Sequence, residues 1–211
     1  MTNQDTFLDL SRYRLSHHIG SGGFSEVFQV KNIDNGEYFA AKISNFIVDE
    51  ETEKNPETLS LFREINLMSL LNHPSILKFV GYSQTDFEGE HNPTIVTEYA
   101  PNGSLQNIID LEDSGLSPQD WDMTKKLINI YGIAAGMAYL HSHNVIHRDL
   151  KPGNVLMDEY LHPKISDFGL SKITDFLSIS MNQQSQKGFK GTPIYMAPEI
   201  FINEEYSKAT D

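Results

Sequence analysis

The sequence predicts an α+β protein whose first half is an antiparallel, strand-rich unit and whose second half is mainly helical. Three observations carry that expectation. From Tyr13 to about Lys42 short apolar runs alternate with turn signals (Gly20, Gly22, Gly23 and Asn35-Gly36), the pattern of a meander of strands. Leu59, Phe62, Ile65, Met68 and Leu71 recur at helical spacing, which gives one amphipathic helix. Beyond Pro101-Asn102-Gly103, Leu127, Ile128, Tyr131, Ala134, Ala135, Ala138 and Tyr139 repeat with a period near 3.6. The texture changes near Ala100.

The elements come in order. Asp49 to Glu57 is an acidic stretch containing Pro56 and is expected to be a loop ahead of the first helix, which Asn72-His73-Pro74 terminates. Ile76 to Gly81 and Thr94 to Tyr99 read as two further strands, with a polar loop from Gln84 to Pro93 between them. Leu127 to Leu140 is the most apolar segment; interrupted by Asn129 and too short to span a bilayer, it is expected to be a buried core helix. Asp175 to Gly188, rich in Ser, Asn and Gln, is expected to be a mobile surface loop.

Composition narrows the function. With 39% hydrophobic residues the 211-residue chain can build a core, so it is not a disordered protein. Its 16 basic and 29 acidic side chains give a net charge of −13, which opposes binding to nucleic acid or to an anionic membrane. There is no cysteine, which removes disulfide frameworks, zinc knuckles and thiol nucleophiles together. Met1-Thr2-Asn3-Gln4-Asp5 carries neither a signal-peptide pattern nor a myristoylation glycine, so a cytoplasmic protein without membrane insertion is expected.

Chemistry begins at Gly20-Ser21-Gly22-Gly23-Phe24-Ser25-Glu26-Val27, a strand-turn-strand in which glycines let the backbone approach phosphates without a Cβ in the way. Alone it is more often only a tight hairpin. Ala40-Ala41-Lys42 on a later strand adds an ammonium that can reach such phosphates. Glu64, beside the buried face of the first helix, needs a cationic partner, and Lys42 is the natural one. His147-Arg148-Asp149-Leu150-Lys151-Pro152-Gly153-Asn154, Asp167-Phe168-Gly169 and Ala197-Pro198-Glu199 then occur in order with sensible gaps.

With those motifs in place the sequence resembles the eukaryotic protein kinase catalytic domain from about Tyr13 to Asp211. The resemblance implies a bilobal fold. An N-terminal tail (1–12) would precede a small antiparallel-sheet lobe with one main helix (about 13–99) and an incomplete, mainly helical large lobe (about 100–211). It also implies ATP and Mg²⁺. Asp149 would orient the substrate hydroxyl or accept its proton, Lys151 would steady the γ-phosphate, and Lys42 paired with Glu64 would hold the α- and β-phosphates. Asn154 and Asp167 would hold the cation, whose preference for oxygen ligands they suit.

Ile19, Gly20, Ser21, Gly22, Gly23, Phe24 and Ser25 would form the lid. Val27, Ala40 and Leu156 would pack on the adenine, the backbone of Glu98 and Ala100 would hydrogen-bond it, and Thr97 would gate the space behind it. Lys151-Pro152 and Gly191-Thr192-Pro193 resemble the serine/threonine pattern, which makes Ser and Thr hydroxyls of proteins or peptides the expected acceptors. Tyr99 to Leu105 and Tyr206 to Asp211 look most like the tyrosine-kinase-like group.

Arg148 is placed to receive a phosphate on Ser171, Thr174, Ser178, Ser180 or Ser185, added by an upstream kinase or by autophosphorylation. The pattern departs mildly at Ser25, where a third lid glycine is usual, and at Phe39. It also stops at Asp211, so the chain is expected to be a fragment of low stability. Glu199 would lack an arginine partner, and apolar surface under His147 and Tyr195 would cost about 25 cal/mol per Å² left in water. A non-catalytic ATP-binding or scaffolding module is the alternative; a small-molecule phosphotransferase is disfavoured by Gly191 to Glu199.

Overall fold

The computed structural model describes residues 6–49, 52, 54–173, 191–203 and 206–211. The chain divides into two compact units, Met1–Asn72 with Leu77–Ala100, and His73–Ile76 with Pro101–Asp211. The loop expected from Asp175 to Gly188 and four of the five candidate phosphorylation sites (Thr174, Ser178, Ser180, Ser185) lie outside the described residues.

The first unit is an antiparallel five-stranded sheet: β1 (Tyr13–Gly22), β2 (Ser25–Asn32), β3 (Tyr38–Ser44), β4 (Phe79–Ser83) and β5 (Thr94–Glu98), in the order β1-β2-β3-β5-β4. Helix α1 (Pro56–Leu70) packs on β4. The register sorts the side chains. Gly20 lies opposite Val27, Val27 opposite Lys42, Lys42 opposite Ile95 and Ala40 opposite Thr97, so these six residues share one face. The other face carries Val30, Ala41 and Val96, which are fully buried with Leu10 and Tyr13.

Thr6–Arg12, within the segment read as a tail, packs on this sheet. Phe7 bridges the edge strand at Tyr82, the Leu8 amide donates to the Tyr82 carbonyl at 2.7 Å, and Leu10 enters the core. Gly81 makes room for the segment, because a Cβ there would stand 3.1 Å from both Leu8 Cβ and the Thr6 carbonyl oxygen. Two boundaries differ from the sequence expectation. Pro56 opens α1 rather than belonging to the loop, since its fixed φ and missing N–H suit a first helical position behind the cap residue Asn55. The strand expected from Ile76 starts at Phe79, while Ile76 forms a bridge to Ile165 in the second unit.

The second unit contains α2 (Leu105–Asp113), α3 (Met123–Ser142) and α4 (Pro198–Asn203). Its strands are the two-residue β6 (Val145–Ile146) and β9 (Lys172–Ile173), and the hairpin of β7 (Val155–Met157) and β8 (Pro163–Ile165). Ser104 caps α2 and Asp122 caps α3, each accepting from the backbone three residues on. Ile108, Trp121, Val155, Met157 and Leu161 form one core cluster of this unit.

The expectation that Leu127 to Leu140 is buried is corrected. Gly136, Met137 and Leu140 are buried, but Leu127, Ile130 and Tyr131 are 59%, 65% and 77% exposed. The helix is apolar on more sides than the described residues cover, and periodicity alone does not choose the covered side. His147 is fully buried, while Tyr195 is 46% exposed. Among the described residues no helix is long and apolar enough to cross a membrane.

Candidate active site

In the first unit the glycine turn closes the β1–β2 hairpin through Gly23 and Phe24. A Cβ added to Gly20 or Gly23 would meet nothing within 4 Å, so both leave open space above the backbone. Gly22 is different: its Cβ would press to 3.2 Å against the Ser25 hydroxyl. Ser25 is itself buried, so this serine uses the room that Gly22 vacates. Phe24 in the turn and Ile19 ahead of it are exposed.

Lys42 Nζ donates to Glu64 Oε1 at 2.8 Å, as the sequence suggested. Glu64 is buried and Lys42 is one-third exposed, so the carboxylate fixes the ammonium while leaving it reachable by an anion. Val27, Ala40 and Thr97 lie on the Lys42 face of the sheet. At the end of β5 the Thr97 hydroxyl donates to the Glu98 carbonyl at 3.1 Å. Glu98 is tied to Lys78 twice, by its amide to the Lys78 carbonyl at 2.9 Å and by its carboxylate from the Lys78 amide at 2.8 Å. The half-buried Ala100 comes two residues later.

In the second unit the loop after β6 is held from below. Asp211, its side chain nearly inaccessible, accepts from the His147 and Arg148 amides at 2.7 Å each. Arg148 takes a left-handed φ of 69°, which turns the chain so that Asp149 enters the site. The buried His147 accepts the Asp149 amide on Nδ1 at 3.3 Å, so its Nε2 carries the proton toward the Ser166 carbonyl at 3.0 Å. Burial lowers its pKa, against the pull of the Ser166 bond and of Asp211, Asp167 and Asp149, and the ring stays neutral.

Asp149 gathers three donors on its carboxylate. Thr192 Oγ1 donates to Oδ1 at 2.8 Å, Asn154 Nδ2 to Oδ2 at 2.9 Å, and Lys151 Nζ stands 2.9 Å from Oδ2. Burial works to raise its pKa, but the hydrogen bonds from Lys151 and Thr192, the Lys151 charge and the Asn154 bond outweigh it and hold the group below the usual range. Asn154 also donates to the Asp149 carbonyl at 2.8 Å, and its own carbonyl accepts from the Ser166 amide and hydroxyl at 2.9 Å each. Ser166, the neighbour of Asp167, is thereby tied to Asn154.

Asp167 is exposed, in a left-handed conformation (φ 63°), next to the buried Phe168 whose ring lies 5.4 Å from that of His147. With Asn154 Nδ2 engaged, the Asn154 amide oxygen and the Asp167 carboxylate remain as hard donors that fit a small divalent cation. Among the described residues no group of three or more His, Cys, Asp or Glu could hold a metal. Two protein oxygens do not cage a cation by themselves, so one bound here would take its remaining ligands from outside the protein.

The sequence reading missed Thr192 as a site residue. Its hydroxyl accepts from Lys151 Nζ at 2.7 Å and donates to Asp149, so it closes a ring of three polar groups. Gly191 delivers it, with φ 108° and a position where a Cβ would stand 2.5 Å from the Arg148 carbonyl oxygen. The signal in the sequence was Gly191-Thr192-Pro193 itself, a glycine-led turn. Ser171, the candidate phosphorylation site that is described, bonds the His147 carbonyl at 3.3 Å, and the Arg148 guanidinium lies 5.4 Å from the Tyr206 ring centre. Leu156 is half-buried on β7, opposite Lys164 and bridged to Ser104.

Residues 13–211 match the family model described as "Protein kinase domain". The chain is 32% identical over 207 residues to "Mitogen-activated protein kinase kinase kinase 2" of Arabidopsis thaliana, covering 95% of this chain and 29% of that protein. It is 34% identical over 194 residues to "Cell cycle serine/threonine-protein kinase CDC5/MSD2" of Saccharomyces cerevisiae, covering 91% of this chain and 24% of the relative. With "Serine/threonine-protein kinase polo" of Drosophila melanogaster the identity is 32% over 213 residues, 98% of this chain and 33% of the relative. The chain thus spans between 24% and 33% of the length of these relatives.

Proposed function

The chain belongs to the protein kinase domain family, and from that membership we propose that it is an ATP-dependent serine/threonine kinase acting on protein or peptide hydroxyls in signalling. The observation that supports this best is the Asp149 cluster, in which a carboxylate is kept ionised beside a lysine, a threonine hydroxyl and an amide. Phosphoryl transfer asks for positioning and for neutralisation of charge on the moving group, and this cluster supplies both. The serine/threonine relatives support the choice of acceptor.

The proposed roles rest on what each side chain can do. In the 100–211 lobe Asp149 accepts a hydrogen bond from the incoming hydroxyl and aligns it. With its pKa depressed it takes the proton late, as the new P–O bond forms. Lys151, held by Asp149 and Thr192, presents its charge to the transferred phosphate. Asn154 and Asp167 hold Mg²⁺, which when bound would neutralise phosphate charge. In the 13–99 lobe Lys42, fixed by Glu64, holds the inner phosphates, and the turn from Ile19 through Ser25 covers them with backbone N–H groups. Val27 and Ala40 pack on the base, Glu98 and Ala100 bond it through the backbone, and Thr97 lines the space behind.

A cytoplasmic setting accords with the use of ATP, and an upstream kinase or autophosphorylation would supply a loop phosphate for Arg148. The test is acid hydrolysis of a generic protein substrate after incubation with γ-labelled ATP. Label on phosphoserine and phosphothreonine is expected; label confined to phosphotyrosine would overturn the acceptor class.

A further inference from the structure

We propose that His18 is a positioning residue for the nucleotide lid, acting through Ser21 from the face of the sheet that the ligand does not use. The inference rests on the reading of the glycine turn as a phosphate lid, and it begins with register. Leu15 lies opposite Val30, His18 opposite Phe28 and Gly20 opposite Val27, so β1 slips against β2 on both sides of His18. Each slip is one extra residue on β1, a bulge that bends the strand and re-aims the residues beyond it.

In an even strand, residues three apart point to opposite faces. The slip between His18 and Gly20 cancels that. Phe28 and Ala41 pair on the face opposite Val27 and Lys42, which puts His18 on the Ala41 face, at its exposed end. Ser21, opposite Glu26, falls on that same face, and its hydroxyl meets His18 Nε2 at 3.0 Å. The imidazole also stands edge-on to the Phe28 ring, 5.3 Å between centres at 78°. His18 thus fastens the bent end of β1 to β2 just before Gly22 and Gly23. A serine hydroxyl both gives and takes a hydrogen bond, so the fastening survives in either tautomer.

Ser21 faces away from Lys42, so neither side chain touches phosphate, and their effect must pass through the shape of the turn. The test is a double-mutant cycle on the full 211-residue chain, reading the KM for ATP, kcat and amide exchange over Gly20–Phe24. His18→Ala and Ser21→Ala are each expected to raise KM about 2- to 10-fold, the worth of one hydrogen bond, with little change in kcat. The double variant should be no worse than the worse single, and His18→Gln should restore most of the loss. Exchange over Gly20–Phe24 should quicken in both alanine variants. Unchanged KM and exchange, or single effects that simply multiply, would overturn the proposal. If the unaltered chain fails to use ATP, the proposed function falls, while exchange still decides whether His18 orders the turn.

Discussion

Thr192 donates its hydroxyl to Asp149 Oδ1 at 2.8 Å while accepting Lys151 Nζ at 2.7 Å, although 43 residues separate Thr192 from Asp149 in sequence. The hydroxyl thereby shares one proton donor and one acceptor site between the two charged groups. Thr192→Val keeps the shape and removes both bonds. It is expected to lower kcat about 10- to 100-fold, the range for charge-assisted bonds in a partly dry site, with the KM for ATP little changed. Thr192→Ser should retain most activity; steady-state kinetics of the two variants checks it.

Gly191→Ala should be worse than its size suggests. Its left-handed backbone costs about 1–3 kcal/mol for a residue with a Cβ, and that Cβ would overlap the Arg148 carbonyl oxygen at 2.5 Å. A lowered Tm together with lost activity is expected, and an unchanged Tm would contradict the geometry.

Much of the site was legible in sequence and some was not. Lys42 and Glu64 could be paired only in combination, because a strand lysine or a helix carboxylate alone is as readily a solvated surface charge. Thr192 was not assigned, because Gly191-Thr192-Pro193 marks a turn but not the left-handed glycine that carries the hydroxyl to Asp149, and such a contact leaves no periodic trace. The exposure of Leu127, Ile130 and Tyr131 was missed because spacing records that a helix is apolar, not what covers it. His18, and its link to the lid residue Ser21, were missed because a two-residue period places the two side chains apart, and only the register slip brings them together.

Glu64→Gln tests the ion pair. The amide keeps the shape but loses the charge that orders Lys42, so the Kd for ATP should rise about 3- to 30-fold, between the worth of exposed and of fully buried pairs. Titration calorimetry with ATP measures it directly.

Acid should destabilise the fold through two groups. The His147 pKa is lowered by burial, so the unfolded chain binds a proton that the folded one refuses. That loss begins as pH falls through the ordinary imidazole value of about 6.5. Asp149 is lowered by its donors against the cost of burial, so its stabilisation is present above the ordinary carboxyl value of about 3.9 and is lost as pH falls through the folded value. A Tm that declines below about pH 6.5, with His147 ring signals that do not titrate there, is expected from NMR and thermal melts.

Thr97 is buried opposite Ala40. If it lines the space behind the base, Thr97→Met should weaken a bulky ATP-competitive inhibitor by about tenfold or more while ATP itself still binds. Equal inhibitor affinity in both proteins would remove Thr97 from the nucleotide site.

The central claim is that Asp149, held ionised by Thr192, Lys151 and Asn154, aligns the acceptor hydroxyl for transfer from ATP. Asp149→Asn tests it most directly, with phosphate transfer to a protein substrate and ATP binding measured on the same preparation. The account predicts transfer reduced at least about 100-fold with ATP affinity within a few-fold of the unaltered chain. Equal transfer by the two proteins would contradict it.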